Sequence, residues 1–135
     1  MIDLAIIGGG PAGYVAAERS GAKGLKVVLF EKRELGGVCL NEGCIPTKTL
    51  LYSAKIYDTA THGDKYGIFA KDATFDYGKI VDRKTRVVRR LVAGVGVKMR
   101  AHGVQVIKGA AMIEGRTTEG VKIRCNDEEF IAANL

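Results

Sequence analysis

Residues 2–13, Ile2-Asp3-Leu4-Ala5-Ile6-Ile7-Gly8-Gly9-Gly10-Pro11-Ala12-Gly13, decide the fold. Ile2 to Ile7 is a short apolar run of the kind buried on both faces of a parallel sheet. Gly8, Gly10 and Gly13 then satisfy G-x-G-x-x-G, and Tyr14 to Lys23 carries apolar and small residues at helical spacing until Gly24 stops it. Lys26 to Phe30 is a second, β-branched strand ending at Glu31. Together they predict one strand–helix–strand crossover of about thirty residues. In such a turn the first glycine permits the sharp bend, the second lets backbone approach a pyrophosphate, and the third lets helix pack on strand. The helix start offers unpaired N–H groups and a partial positive charge. Glu31, eighteen residues past Gly13, is placed to accept hydrogen bonds from ribose hydroxyls and to repel a 2′-phosphate. Strand, helix and acid together favour dinucleotide binding over a purely structural glycine turn. The pattern does not separate FAD from NAD.

Beyond Glu31 the sequence predicts a loop from Lys32 to Asn41 that contains Gly36-Gly37, then a helix from about Cys44 to Thr61. Leu50, Leu51, Ala54 and Tyr57 (or Ile56) form the expected apolar face of that helix. Gly63 to Thr74 reads as irregular. Asp76 is a candidate cap for a long helix toward Ala101, whose buried stripe is Ile80, Val87, Val88, Leu91, Val92, Val95 and Met99. Gly94 and Gly96 either weaken that helix or let it approach another backbone. After Gly103 the period changes to strands at Val104–Ile107, Ala110–Glu114, Val121–Cys125 and Phe130–Ala133. No internal repeat, low-complexity tract or linker interrupts the chain.

Length and composition bound the rest. The chain has 135 residues, enough for one domain, and is 47% apolar and 27% charged, a globular balance. No apolar run is long enough to span a bilayer. The N-terminus has no basic segment ahead of Ile2–Ile7, so the expectation is a cytoplasmic protein with no membrane partner. Of the cations behind the net charge of +6, Lys79, Arg83, Lys84, Arg86, Arg89, Arg90, Lys98 and Arg100 cluster in the long helix. Clustered Lys and Arg suit nucleic acid. Here no aromatic is interleaved and no nucleic-acid motif accompanies them, so the solvated face of a helix is expected and no nucleic-acid partner.

Three cysteines do not make a disulfide framework. The segment Gly36-Gly37-Val38-Cys39-Leu40-Asn41-Glu42-Gly43-Cys44-Ile45-Pro46-Thr47-Lys48 places two of them five residues apart. In a straight helix that spacing is a rise of ~7.5 Å, beyond the ~4.4–6.8 Å Cα separation of a disulfide. A bond between them therefore needs a turn, which Asn41 and Gly43 can supply. So small a loop stabilises a fold by only ~2 kcal/mol in the chain-entropy model, a weak reason to staple it. A helix start beside a thiol favours thiolate chemistry. Zinc would need two further ligands from Cys125, His62 and His102, which form no second paired motif. Redox chemistry, a zinc half-site and inert core thiols are the three readings these residues leave, and no metal is expected. Cys125 fits a small buried hydrophobe.

The run GGVCLNEGCIPTKTLL closely resembles the active-site signature of dihydrolipoyl dehydrogenases, within the pyridine nucleotide–disulfide oxidoreductases. GGGPAG, Glu31 and the order of elements up to Leu135 are similar to the same family, with the specific motifs in the first third of the chain. Leu40 and Ile45 stand where glutathione and mercuric reductases tend to have Val. The resemblance implies an α/β fold: a partial Rossmann-like FAD-binding domain, a parallel sheet with helices, plus a small antiparallel β-meander. It implies FAD at the glycine turn, held by Gly8, Gly10, Pro11, Ala12, Gly13, Glu31, Lys32, Gly36, Gly37, Val38, Cys39, Lys48 and Ala111. It assigns Cys44 to the flavin side, Cys39 to exchange with the dihydrolipoyl substrate, and Lys48 to the isoalloxazine ring. The implied activity is oxidation of protein-bound dihydrolipoamide with NAD+; the implied partners are the lipoyl-bearing components of 2-oxo acid dehydrogenase complexes, and the implied assembly is a homodimer. A related glutathione- or mercuric-type reductase, or a non-catalytic flavin- or nucleotide-binding module, remains an alternative. Val38 departs from the family's usual threonine, and the loss of that hydroxyl implies weaker FAD retention.

Family members are about three times as long as these 135 residues. The resemblance therefore implies a single incomplete FAD-binding domain over 1–135, inactive alone, with the NAD-binding and C-terminal interface domains absent. Neither His62 nor His102 lies in the family's His-x-x-x-x-Glu context, and neither is assigned a catalytic role. The final segment Phe130 to Leu135 reads as the beginning of a core strand. The expectation is that the first strand lacks a neighbour on that side, leaving an edge prone to association.

Overall fold

A computed structural model describes residues 1–135. Its elements are β1 (Ile2–Ile7), α1 (Pro11–Ala22), β2 (Val27–Glu31), α2 (Gly37–Asn41), α3 (Cys44–Thr61), a 3-10 turn (Asp64–Tyr66), α4 (Tyr77–Ala101), β3 (Gln105–Lys108), β4 (Ala111–Thr117), β5 (Gly120–Cys125) and β6 (Glu128–Asn134). The α/β class is as the sequence predicts. The six strands form one sheet in the order β3-β2-β1-β6-β5-β4. β1, β2 and β3 run parallel with β6, while β6, β5 and β4 form the antiparallel meander. The meander is thus continuous with the parallel sheet, because β6 pairs with β5 along one edge and meets β1 along the other.

β2 shows why its sequence is uninterruptedly apolar. Alternate side chains of a strand leave opposite faces, and here both faces are covered. Val27 and Leu29 are buried with Ala17 of α1, Leu40 of α2, Val95 and Met99 of α4, and Val104. Val28 and Phe30 are buried with Ala5, Val121, Ile123, Cys125 and Ala132. Phe30 meets Phe130 edge to face, with ring centroids 5.1 Å apart. Helices therefore cover one face of β2 and the meander covers the other.

Several expectations change in detail. The segment Lys32–Asn41 is not all loop: its last five residues form α2. Val104 is buried but precedes β3, because its N–H donates to the Met99 carbonyl (2.9 Å) and closes the end of α4. The stripe of α4 is buried at Val95 and Met99, where the helix crosses the sheet, and only half-buried or exposed toward its N-terminus. The expected apolar face of α3 is largely open: Leu51 is 62% exposed, and Ile56 and Tyr57 are exposed as well. α3 and α4 cover each other along one seam, and no third element lies over the outer turns. Gly94 and Gly96 approach no other backbone, so close packing is not their reason.

The expectation that β1 lacks a neighbour is corrected in part. β6 pairs with β1 at Ile2↔Ala132 and Leu4↔Asn134, and the Asn134 side chain donates to the Asp3 carbonyl (3.1 Å). Only Ala5 to Ile7 have no strand on that side. No helix is long and apolar enough to cross a membrane.

Candidate functional site

β1 delivers the glycine turn at its C-terminal end, and α1 begins at Pro11 with Gly10 as the residue before it. Proline at the first helical position sacrifices no hydrogen bond, since that N–H would be unpaired anyway. No side chain caps α1, so its first N–H groups, those of Ala12 and Gly13 among them, are free for an anion. A Cβ on Gly8 or Gly10 would meet nothing within 4 Å, so open space lies over that face of the turn. A Cβ on Gly13 would instead collide with the Gly8 carbonyl oxygen. Glycine at 13 is thus required for α1 to sit against β1, and glycine at 8 and 10 leaves room for a ligand.

Glu31 ends β2 beside this turn, but its carboxylate already has protein partners. Gly9 N–H donates to Oε2 (2.7 Å) and Arg33 N–H donates to Oε1 (2.7 Å). An ionised carboxylate has about four acceptor sites, so Glu31 keeps acceptor capacity beyond these two bonds. Glu31 therefore has a second task that the sequence did not reveal: it ties the end of β2 to the glycine turn. A cavity of about 280 Å³ opens between them, lined by Gly8, Phe30, Glu31, Lys32, Gly109 and Ala111. Gly109 N–H donates to the Glu31 carbonyl (3.0 Å), which brings the distant Gly109–Ala111 turn to this cleft.

The dithiol segment is fastened to the same turn. Gly36 N–H donates to the Gly9 carbonyl (2.8 Å). Gly37 has φ +58°, and a Cβ there would stand 2.8 Å from the Gly10 Cα, so only glycine allows this approach. Cys39 lies within α2 and Cys44 opens α3. Between them Glu42 and Gly43 both donate their N–H to the Val38 carbonyl (2.9 and 2.7 Å). This reversal is the turn that the five-residue spacing demanded. Both thiols are free, Cys39 half-buried and Cys44 exposed.

The hydrogen bond with the Cys44 side chain, helped by partial desolvation, holds the Cys39 thiol above the ordinary cysteine range, while the charge of Lys48 works against that rise. Lys48, one turn into α3, thus acts through its charge on the Cys39 thiol. Cys125 is buried in the meander core. No three His, Cys, Asp or Glu side chains gather as a ligand cluster. His62 pairs with Asp58 (3.1 Å) at the far end of α3, about 27 Å from Cys44 by the helical rise.

The structure therefore brings Gly8, Gly10, Pro11, Ala12, Gly13, Gly36 and Gly37 together, with Glu31, Lys32 and Ala111 around the adjoining cleft, Cys39 on α2, and Cys44 and Lys48 at the start of α3. Val38 is exposed on α2 and shares a second cavity of about 350 Å³ with Lys32, Glu34, Asn41 and Glu42. The sequence points to Asn41 only as a turn former and does not reveal its side-chain bonds, nor the Arg33–Glu42 pair. The Asn41 side chain donates to the Leu35 carbonyl (3.1 Å) and the Gly37 carbonyl (2.9 Å), and Arg33 pairs with Glu42. The available signal was a short amide and an acid lying between two cysteines.

The family model described as pyridine nucleotide-disulphide oxidoreductase matches residues 2–134. A dihydrolipoyl dehydrogenase of Bacillus subtilis (strain 168) is 46% identical, over 96% of this chain and 30% of that protein. Among solved structures, LpdA from Mycobacterium tuberculosis matches at TM-score 0.84 over 98% of this chain and 30% of that one; at 21% identity it speaks to the fold. The HOCl-induced flavoprotein disulfide reductase RclA from Escherichia coli matches at TM-score 0.75 and 27% identity, over 97% of this chain and 26% of that one. The chain spans about 30% of the length of the curated relative it matches.

Proposed function

The chain belongs to the pyridine nucleotide–disulphide oxidoreductase family, and on that premise we propose that it is the flavin- and disulfide-bearing part of a dihydrolipoyl dehydrogenase. The observation that carries the reading is the fastening of the two-thiol segment to the glycine turn, by Gly36 N–H on the Gly9 carbonyl and by the Gly37–Gly10 approach. A nucleotide cradle and a dithiol joined by shared backbone suit electron transfer better than two separate structural features. The 46% identity to a dihydrolipoyl dehydrogenase favours the dihydrolipoyl branch over the glutathione- and mercuric-type alternatives.

The residues fit FAD. Open space over Gly8 and Gly10 with the free N–H groups of α1 suits its pyrophosphate; Glu31, Lys32 and Ala111 suit its adenosine half; Gly36, Gly37, Val38, Cys39 and Lys48 lie on the side that leads to the thiols. When bound, FAD would supply a two-electron acceptor. The chain's own part is thiol chemistry. A Cys39–Cys44 disulfide accepts two electrons from dihydrolipoamide by exchange: the substrate's two S–H groups become its S–S bond, and the protein's S–S bond becomes two thiols. Cys39 is the proposed exchanging thiol and Cys44 the one toward the flavin. Lys48 favours negative charge on this side. NAD+ is the proposed final acceptor, with lipoyl-bearing components of 2-oxo acid dehydrogenase complexes as partners, a homodimer as the assembly and the cytoplasm as the location. Residues 1–135 are proposed as a single, incomplete FAD-binding domain, with the NAD site and the base for the substrate thiol supplied from elsewhere.

Two measurements test this. Titration with FAD should give a saturable shift of the flavin spectrum, stronger than any binding of NAD+. Oxidised protein mixed with one equivalent of dihydrolipoamide should release two protein thiols and one lipoamide. Because the base lies elsewhere, the thiols are counted at equilibrium and not from a rate; absence of both results would overturn the reading, and flavin binding with no thiol release at equilibrium would leave only a flavin-binding module.

A further inference from the structure

Between Cys39 and Cys44 lie four residues, and one of them, Asn41, closes the segment on itself with its side chain. A primary amide has two N–H donors, and both are used: one on the Leu35 carbonyl (3.1 Å), one on the Gly37 carbonyl (2.9 Å). Those carbonyls flank Gly36, the residue whose N–H holds the Gly9 carbonyl of the nucleotide turn (2.8 Å). The backbone reversal that follows is held separately, by Glu42 and Gly43 on the Val38 carbonyl. Asn41 thus joins the fixed glycine turn to the reversal that brings the thiols together. Arg33 also reaches this loop through Glu42, but both partners face solvent, where water screens the pair. Asn41 is half-buried and its contacts are to backbone.

We propose that Asn41 is a positioning residue for the dithiol: its amide clamps α2 to the 35–37 turn and keeps Cys39 and Cys44 at a separation from which the disulfide closes. The proposal rests on the reading of these cysteines as a redox pair. A disulfide accepts only a narrow range of Cα separations, and α2 is too short to hold that geometry by its own hydrogen bonds. Without the clamp the thiols would explore more conformations, and closing the bond would cost more entropy.

The test is the equilibrium of the protein with glutathione, in which Cys39-SH, Cys44-SH and one glutathione disulfide give the protein disulfide and two glutathione thiols. Asn41→Ala should lower that constant about tenfold, a shift of about 30 mV for this two-electron couple. Asn41→Asp keeps the shape and, ionised, removes both donors. It should fall at least as far as alanine, whereas a role in packing alone would leave it unchanged. Cys125, 1% exposed, reports the fold: it should resist alkylation in every variant. If Asn41→Ala exposes Cys125, the isosteric Asn41→Asp carries the comparison. A disulfide that forms in the unsubstituted protein with the same constant in both variants overturns the positioning role alone. An unsubstituted protein that forms no disulfide overturns the redox-pair reading and this role with it.

Discussion

Cys39 and Cys44 are surrounded differently, and their chemistry should differ accordingly. The Cys39 thiol sits above the ordinary cysteine range chiefly because of its hydrogen bond with the Cys44 side chain, with Lys48 pulling the other way. At a given pH below its titration, Cys39 should therefore carry less thiolate than an ordinary cysteine and alkylate more slowly. Cys44→Ala removes the main cause, so the pH profile of Cys39 alkylation should move down. Lys48→Met removes the opposing charge, so the profile should move up. Mass-resolved alkylation rates across pH check both, and shifts in the reverse directions would refute this account. Val38 is the second residue-scale test. Restoring a hydroxyl on this exposed position of α2 adds one hydrogen bond, worth about 0.5–1.5 kcal/mol net. Val38→Thr should therefore bind FAD roughly two- to tenfold more tightly by fluorescence titration.

At the scale of elements, the long helix α4 depends on its first turn. Asp76 accepts a hydrogen bond from Lys79 N–H (3.1 Å), the N-cap that the sequence predicts. Asp76→Ala should cost about 1 kcal/mol and lower the thermal midpoint, while the buried Val95 and Met99 keep the C-terminal half in place. An unchanged midpoint would mean that this end of α4 is already frayed. The glycine turn and the α4 start were legible because their residues act locally: glycine, proline and cap chemistry depend on neighbours in sequence. The helical nature of α2 was not legible. Five residues hold too few backbone hydrogen bonds to define a helix, and the contacts that hold α2 come from Leu40 in the helix-side core and from the Gly10 turn.

For the whole molecule, surface area is the most informative quantity. The chain exposes 9088 Å², against about 6,900 Å² for a compact monomer of 14.5 kDa. The excess of roughly 2,000 Å² is on the scale of a stable protein interface. It includes the outer apolar turns of α3 and the loop to α4, where Tyr66, Phe69, Phe75 and Tyr77 are exposed, together with the unpaired flank of β1 above Leu4. At micromolar concentration the 135-residue chain should bind a hydrophobic dye and elute ahead of a compact 14.5 kDa monomer. A sharp monomer peak that ignores the dye would show that this surface is tolerated in water.

Local sequence was enough for the strand–turn–helix–strand core, the G-x-G-x-x-G pattern of its turn and the presence of a thiol pair. Each follows from residues within a few positions of one another, where sterics and hydrogen-bonding capacity leave little choice. Long-range packing was needed to continue the parallel sheet into the meander through β6 and to turn part of the Glu31 carboxylate to Gly9 and Arg33. It also brought Ala111 back to the cleft beside Glu31 and fastened the dithiol segment to the glycine turn through Gly36 and Gly37. Those are pairings between segments tens of residues apart, or choices among several partners for one polar group. They are settled by which backbone groups remain unpaired once the core has closed.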